Sequence, residues 1–287
     1  MEELKFSDLR STTRTLIIKI TEKINPIVAF NLLPIKLIQN EPRKKLKAIR
    51  YPGNILSMRY REVWRGYVKH ERRGFFKHML SIDLSTTTNN INMKLSGGTI
   101  QMCGASSEEN AIEGASILLG FINKIRQLQL SKNQDDPYFA AMKLEHKDKF
   151  DTFMSEFKKS PLIAENEVFV KDDAIKTVMI NYNFSVGIKI NRISFVKLFT
   201  MIDDFRTYYY NQINSFIKII YNNPSSTKVV FIIYKTGSVT LSGSREEDIK
   251  MAFTSFMEHM KYYSMYCASK EEVKSSIPNF DRLMIDF

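Results

Sequence analysis

The strongest constraint on this chain is that it carries one unit twice. "GGTIQMCGASSEEN" (residues 97–110) and "TGSVTLSGSREED" (residues 236–248) share a glycine turn, a short alternating strand, a second glycine and residues that open a helix. At an offset of 139, Gly98 meets Gly237, Ile100 meets Val239, Met102 meets Leu241 and Gly104 meets Gly243. Side chains alternate across a strand, so matching apolar positions turn matching faces inward.

The correspondence extends both ways. Ser106 with Glu109, and Ser244 with Glu247, have capping-box spacing, which predicts a helix start at each. Both helices then repeat apolar residues at helical spacing: Ala111, Ala115, Leu118, Ile122 and Ile125 in the first, Ile249, Phe253, Phe256, Met260 and Tyr263 in the second. Upstream, "TRTLIIKI" (13–20) and "IKTVMINYNF" (175–184) read as strands, followed by helices from Asn25 and Asn191. Further strands follow in each copy: "KHMLSIDLS" and "NINMKLS", then "SFIKIIY" and "TKVVFIIYKTG". The domain reading is a first repeat over 10–130 with a basic and aromatic insertion at about 43–78, a helical connector over 131–173, a second repeat over 174–268 and a tail over 269–287. The connector reads as one amphipathic helix burying Phe139, Met142, Phe150, Phe153 and Phe157.

Charge locates the unusual part. The chain has 287 residues, 44% of them hydrophobic, and a net charge of +11. Between Glu41 and His78 twelve basic residues face three acids, so this stretch carries +9 of that excess. Such a surface suits a polyanion. Within it, "MRYREVWRGYVKHERRGFFKH" (58–78) interleaves cations with aromatics, a pattern for tracking phosphates and stacking on bases. Arg59, Arg61, Arg65, Lys69, Arg72 and Arg73 are its candidate phosphate contacts. A solvated hairpin with aromatics covering a sheet edge is the plainer reading of the same residues.

Other chemistries lack residues to perform them. His70, His78, His146 and His259 have no metal-ligand spacing, and no phosphate-cradling glycine loop or nucleophile triad is present. Neither an enzyme nor a cofactor is expected. Cys103 and Cys267 make no disulfide framework, no apolar run is long enough to span a membrane, and "MEELKFSDLR" lacks a signal-peptide plan, so a soluble intracellular protein is expected.

Two ordered copies of strand, helix, antiparallel strands and long helix, with "GGTIQMCGASSEE" in the first, resemble the TATA-binding protein family over residues 12–127 and 174–263. The long connector, basic insertion and Ile/Lys/Asn-rich composition are more like its divergent members in large DNA viruses. The resemblance implies an α+β saddle: a curved, pseudo-two-fold antiparallel sheet of about ten strands, helices on the convex side, and a concave face that lies on the DNA minor groove. It implies a transcription initiation factor that binds and bends double-stranded promoter DNA and meets other initiation factors or RNA polymerase components. The location would be the nucleus or, for a viral protein, a cytoplasmic viral factory.

Carried over by position, the resemblance places the groove face on Thr15, Ile17, Met93, Leu95, Gln101 and Cys103 in the first repeat, and on Thr177, Met179, Ile232, Thr240 and Ser242 in the second. Its wedge aromatics fall on Phe75 or Phe76 with Leu95, and on Phe216 with Tyr234. The family's groove-contacting asparagines fall on Thr15 and Thr177, and its acidic stirrup has no counterpart in "NQINSF" (211–216). One register question stays open. If Leu95 is a wedge, Lys94 points to the core; a one-residue shift at Gly97-Gly98 instead buries Ile91, Met93 and Leu95 and turns Asn92, Lys94 and Ser96 toward the groove. The alternative function is a protein-interaction or structural module of the same fold, with only non-specific DNA binding through its basic arm.

Overall fold

The structure, a computed structural model, describes residues 4–36, 51–66, 78–131, 135–209, 215–223 and 227–269. They belong to two compact units, Arg14–Lys176 and Thr177–Phe287, the second joined by Met1–Thr13. The chain's first turn folds with the second unit because Phe6 lies against Tyr182 and Phe253, with ring centroids 5.1 and 5.7 Å away.

Chain order in the N-terminal unit is β1 (Ser11–Ile20), α1 (Pro26–Leu32), β2 (Asn54–Tyr60), β3 (Val63–Gly66), β4 (Leu80–Ser85), β5 (Asn90–Ser96), β6 (Thr99–Ala105), α2 (Glu108–Ser131), α3 (Pro137–His146) and α4 (Phe150–Lys159). The C-terminal unit follows with β7 (Val170–Ser185), α5 (Arg192–Thr200), β8 (Phe205–Tyr208), β9 (Phe216–Tyr221), β10 (Val229–Tyr234), β11 (Ser238–Gly243) and α6 (Glu246–Cys267). Strands lie in the order β3-β2-β4-β5-β6-β1 in the first and β7-β11-β10-β9-β8 in the second, joined by antiparallel ladders. The class is α+β, as the resemblance implies. Among the described residues eleven strands are found where about ten were expected, and the extra one is β3, inside the basic insertion.

Each unit has one buried face. In the first, Leu16, Ile18, Ile82, Ile91, Ile100 and Met102 are sealed by the α2 stripe Ala111, Ala115, Leu118, Ile122 and Ile125. In the second, Ile217, Ile219, Phe231, Ile233 and Leu241 meet Ile249, Phe253, Phe256 and Met260 of α6, with Tyr263 at its margin. Full burial of such a side chain contributes about 1.5–3 kcal/mol. Among the described residues the opposite face of each sheet carries no helix, and it is the alternate residues of every strand that occupy it.

Helix starts follow local hydrogen bonding. Asn25 accepts from the amides of Ile27 and Val28, and Asn191 accepts from those of Ile193 and Ser194. The expected cap at Ser106 is displaced by one residue: Ser107 Oγ accepts from the Asn110 amide, while Asn110 Oδ1 accepts from the Ser106 amide. At α6 the cap is Arg245 rather than Ser244, with no side-chain bond to a helix amide. Among its described residues the connector holds two α-helices joined by a 3-10 turn at Lys147–Lys149, not one helix. The chain breaks at Lys147 (φ 46°), and α3 and α4 then fold together so that Phe139, Met142, Phe153 and Phe157 are buried and Phe150 is half-buried.

The two β-hairpins differ by one residue. Gly97 and Gly98 alone separate the paired Ser96 and Thr99. Three residues, Lys235, Thr236 and Gly237, separate Tyr234 from Ser238, and the Gly237 amide donates to the Tyr234 carbonyl at 2.9 Å. Both loops need a left-handed glycine, Gly97 at φ 55° and Gly237 at φ 84°.

Candidate nucleic-acid interface

The helix-free face of the C-terminal unit is apolar at its centre. β9 and β10 pair so that Phe216 faces Tyr234, Lys218 faces Ile232 and Ile220 faces Val230. Phe216 and Tyr234 meet edge to face with centroids 6.2 Å apart, and Tyr234 remains 39% exposed. β8 adds Tyr208, over which the Lys218 ammonium sits at 5.8 Å, and the exposed Arg206. Towards β7 the face becomes polar. Ser242 donates to Asn181 Oδ1 (2.7 Å) and Thr240 donates to Asn183 Oδ1 (2.8 Å), while Asn181 Nδ2 donates to Thr13 (2.8 Å). Met179 is 39% exposed, and alternation puts Thr177 on the same side. The sequence-derived residues Thr177, Met179, Phe216, Ile232, Tyr234, Thr240 and Ser242 thus share one face.

The N-terminal unit presents different chemistry from the same positions. Thr15, Ile17, Gln101 and Cys103 do lie on its helix-free face: Thr15 pairs with Cys103 and Ile17 with Gln101, and the Thr15 hydroxyl donates to Cys103 Sγ at 3.8 Å. Met93 and Leu95 do not. Both are 0% exposed in the core, because the two-residue hairpin slides β5 by one position relative to β10. The shifted register of the sequence reading is the one adopted, with Asn92, Lys94 and Ser96 outward. By ladder position Ser96 stands where Tyr234 does, Lys94 where Ile232 does, Asn92 where Val230 does and Asp83 where Ile220 does. Asp83 is fixed between strands, accepting from Ser57 Oγ and Asn92 Nδ2, each at 2.8 Å.

The basic arm divides. Arg59 lies on the helix-free side, its guanidinium 5.0 Å from the Trp64 ring centroid, and Arg61 in the β2–β3 turn lies 5.5 Å from the Tyr60 ring. Arg65 is not available to phosphate. Its side chain is 14% exposed on the helix side, paired with Glu145 at 2.6 Å, and it donates to the Phe30 and Leu33 carbonyls at the end of α1. Those carbonyls lack partners within α1, and a guanidinium fork satisfies them while neutralising Glu145. Phe75, Phe76, Lys69, Arg72 and Arg73 lie outside the described residues.

Sequence reasoning missed Asn181. Thr15 was matched to Thr177, but the ladders pair Thr15 with Cys103 and Asn181 with Ser242, and Cys103 and Ser242 are equivalent. The helix caps held the signal: Thr15 precedes Asn25 by ten residues, as Asn181 precedes Asn191. Lys218 and Asp83 were missed, whereas Asn92 and Lys94 are the outward residues of the shifted register that the sequence reading left open.

No protein-family model and no curated protein matches the chain. A solved structure of Methanococcus jannaschii TBP aligns with 88% of this chain and 98% of its own at a TM-score of 0.43 and 16% identity. Among the described residues no cluster of His, Cys, Asp or Glu has the arrangement of a metal site, and no helix is long and apolar enough to cross a membrane. The Cys267 thiol is pushed up to about 12 by burial, which suits a packing role.

Proposed function

We propose that this chain is a TATA-binding-protein-like transcription initiation factor, a divergent member of viral type, that binds and bends promoter DNA through its helix-free sheet faces. The observation that carries this reading is the Phe216–Tyr234 pair, side by side on a face with no helix over it among the described residues, with Ile232, Ile220 and Val230 behind it and Lys218 and Arg206 beside it. Minor-groove wedging of the TATA-binding-protein kind costs about a few kcal/mol per unstacked step. Tyr234 is 39% exposed, so of the about 150–250 Å² an aromatic ring can bury it has about 60–100 Å² left, about 1.5–2.5 kcal/mol at about 25 cal/mol/Å². With the half-buried Phe216 beside it, the pair offsets a cost of the same order as one step. In this reading the chain acts by binding, its partners being duplex DNA and initiation or polymerase components.

Phe216→Ala with Tyr234→Ala is expected to abolish bending in an energy-transfer assay while leaving salt-sensitive binding. An unchanged bend angle would refute the wedge assignment. A second reading, a module of the same fold with only non-specific DNA binding, is favoured by the polar N-terminal face, where Ser96, Lys94 and Asp83 replace Tyr234, Ile232 and Ile220. Duplex selection separates the two, because specific recognition requires a preference of about 10³-fold or more over random sequence.

A further inference from the structure

Asp83 is the one acid on the strand positions of the N-terminal unit's helix-free face among the described residues, and its surroundings hold it in place. Ser57, itself 2% exposed, donates to Oδ2 from β2, and Asn92 donates to Oδ1 from β5. The carboxylate is locked between two strands at the position where the other unit has Ile220. Cations border it: Arg59 and Lys94 both pair with Ser81, two residues along β4.

An ionised carboxylate accepts hydrogen bonds and donates none, and two bonds leave lone pairs on both oxygens. The minor groove offers such a group only one partner. A·T and T·A pairs present acceptors alone, whereas G·C adds the guanine N2 amine, a donor. We propose that Asp83 is a specificity-determining residue that accepts from the guanine 2-amino group and makes the DNA under this unit G·C-containing at one or two adjacent positions. The inference rests on the duplex-binding reading above. Against A·T the fixed carboxylate opposes N3 and O2 with no proton between them; against G·C the amine supplies it. Lys94 and Arg59 offset the repulsion between Asp83 and the flanking phosphates.

The test uses the full chain, duplexes selected for binding, and the same duplexes with guanine replaced by inosine, which lacks the 2-amino group and keeps the major-groove pattern. The expected result is a G·C preference at one or two positions, a loss of about tenfold when inosine replaces that guanine, and no inosine effect in Asp83→Ala, which has no acceptor at this position. If the wild-type protein binds and bends duplex but inosine costs nothing at any position, or costs Asp83→Ala as much as wild type, the assignment is overturned and the duplex-binding reading stands. If wild type binds no duplex, both fall. The inosine arm in wild type decides the matter even where Asp83→Ala does not fold.

Discussion

Replacing Arg65 by alanine tests whether the basic insertion is all binding surface. The arginine leaves behind Glu145, a carboxylate 12% exposed whose Oε2 has no partner among the described residues, and the α1 carbonyls of Phe30 and Leu33. Breaking a buried ion pair from one side costs about 3–5 kcal/mol. Exposure of 14% on the arginine admits some water, so the lower end, about 3 kcal/mol, is expected. For a unit of this size each kcal/mol lowers the melting midpoint by about 2–4 °C, giving about 6–12 °C in calorimetry. Removing Glu145 as well should cost no more than removing Arg65 alone, since the orphaned charge goes with it. Binding should be spared: losing a true phosphate contact lowers the salt slope by about 0.9, and Arg65→Ala should not move it. A variant as stable as wild type to within about 1 kcal/mol, with a shallower salt slope, would refute the structural role.

Two other outcomes follow from local geometry. A Cβ on Gly237 would sit 2.1 Å from the Ile188 carbonyl oxygen at φ 84°, so Gly237→Ala should cost about 2–3 kcal/mol, whereas Gly97→Ala, with open space around it, should cost about 1 kcal/mol; equal urea midpoints would contradict this. His146, stacked on Phe153 at 4.6 Å, is held below its usual 6.5 by burial, with Glu145 and Glu156 pulling it up and Arg65 pushing it down. Its contribution to stability is full above about pH 6.5 and is lost as pH falls towards the lower folded value, because only the unfolded chain takes up the proton readily. The urea midpoint should therefore drop as pH falls below about 6.5, and His146→Phe should flatten that drop; an identical pH profile in the variant would dispose of the idea.

The repeat and the two long helices were legible because each depends on local pattern. Ile249, Phe253, Phe256 and Met260 recur at helical spacing, and burial followed it. Phe216 and Tyr234 were placed on one face by the resemblance, because the strand Val229–Tyr234 is apolar at every position and alternation alone leaves its outward set open. Leu95 and Met93 were misplaced because residue matching across the turn assumed equal loops, and β5 is apolar at every second position whichever way it is matched. Arg65 was misread for another reason. Its neighbours Arg59 and Arg61 are also cationic, and only the tertiary approach of α3, some eighty positions on, distinguishes it. The break at Lys147 has no breaker residue at all: a lysine at φ 46° costs energy that packing of the aromatic side chains of α3 and α4 offsets.

The shorter glycine turn has an implication for how the halves diverged. Deleting one residue from a hairpin leaves both strands able to pair, yet it trades every inward side chain of one strand for its outward neighbour in a single event. A duplicated unit can thereby replace the chemistry of an entire exposed strand without passing through the intermediate substitutions, provided the strand is one whose two sets of alternate residues are already oily and polar. Asn92, Lys94 and Ser96 form such a ready-made polar set, so the two copies were free to meet unlike surfaces while keeping like interiors.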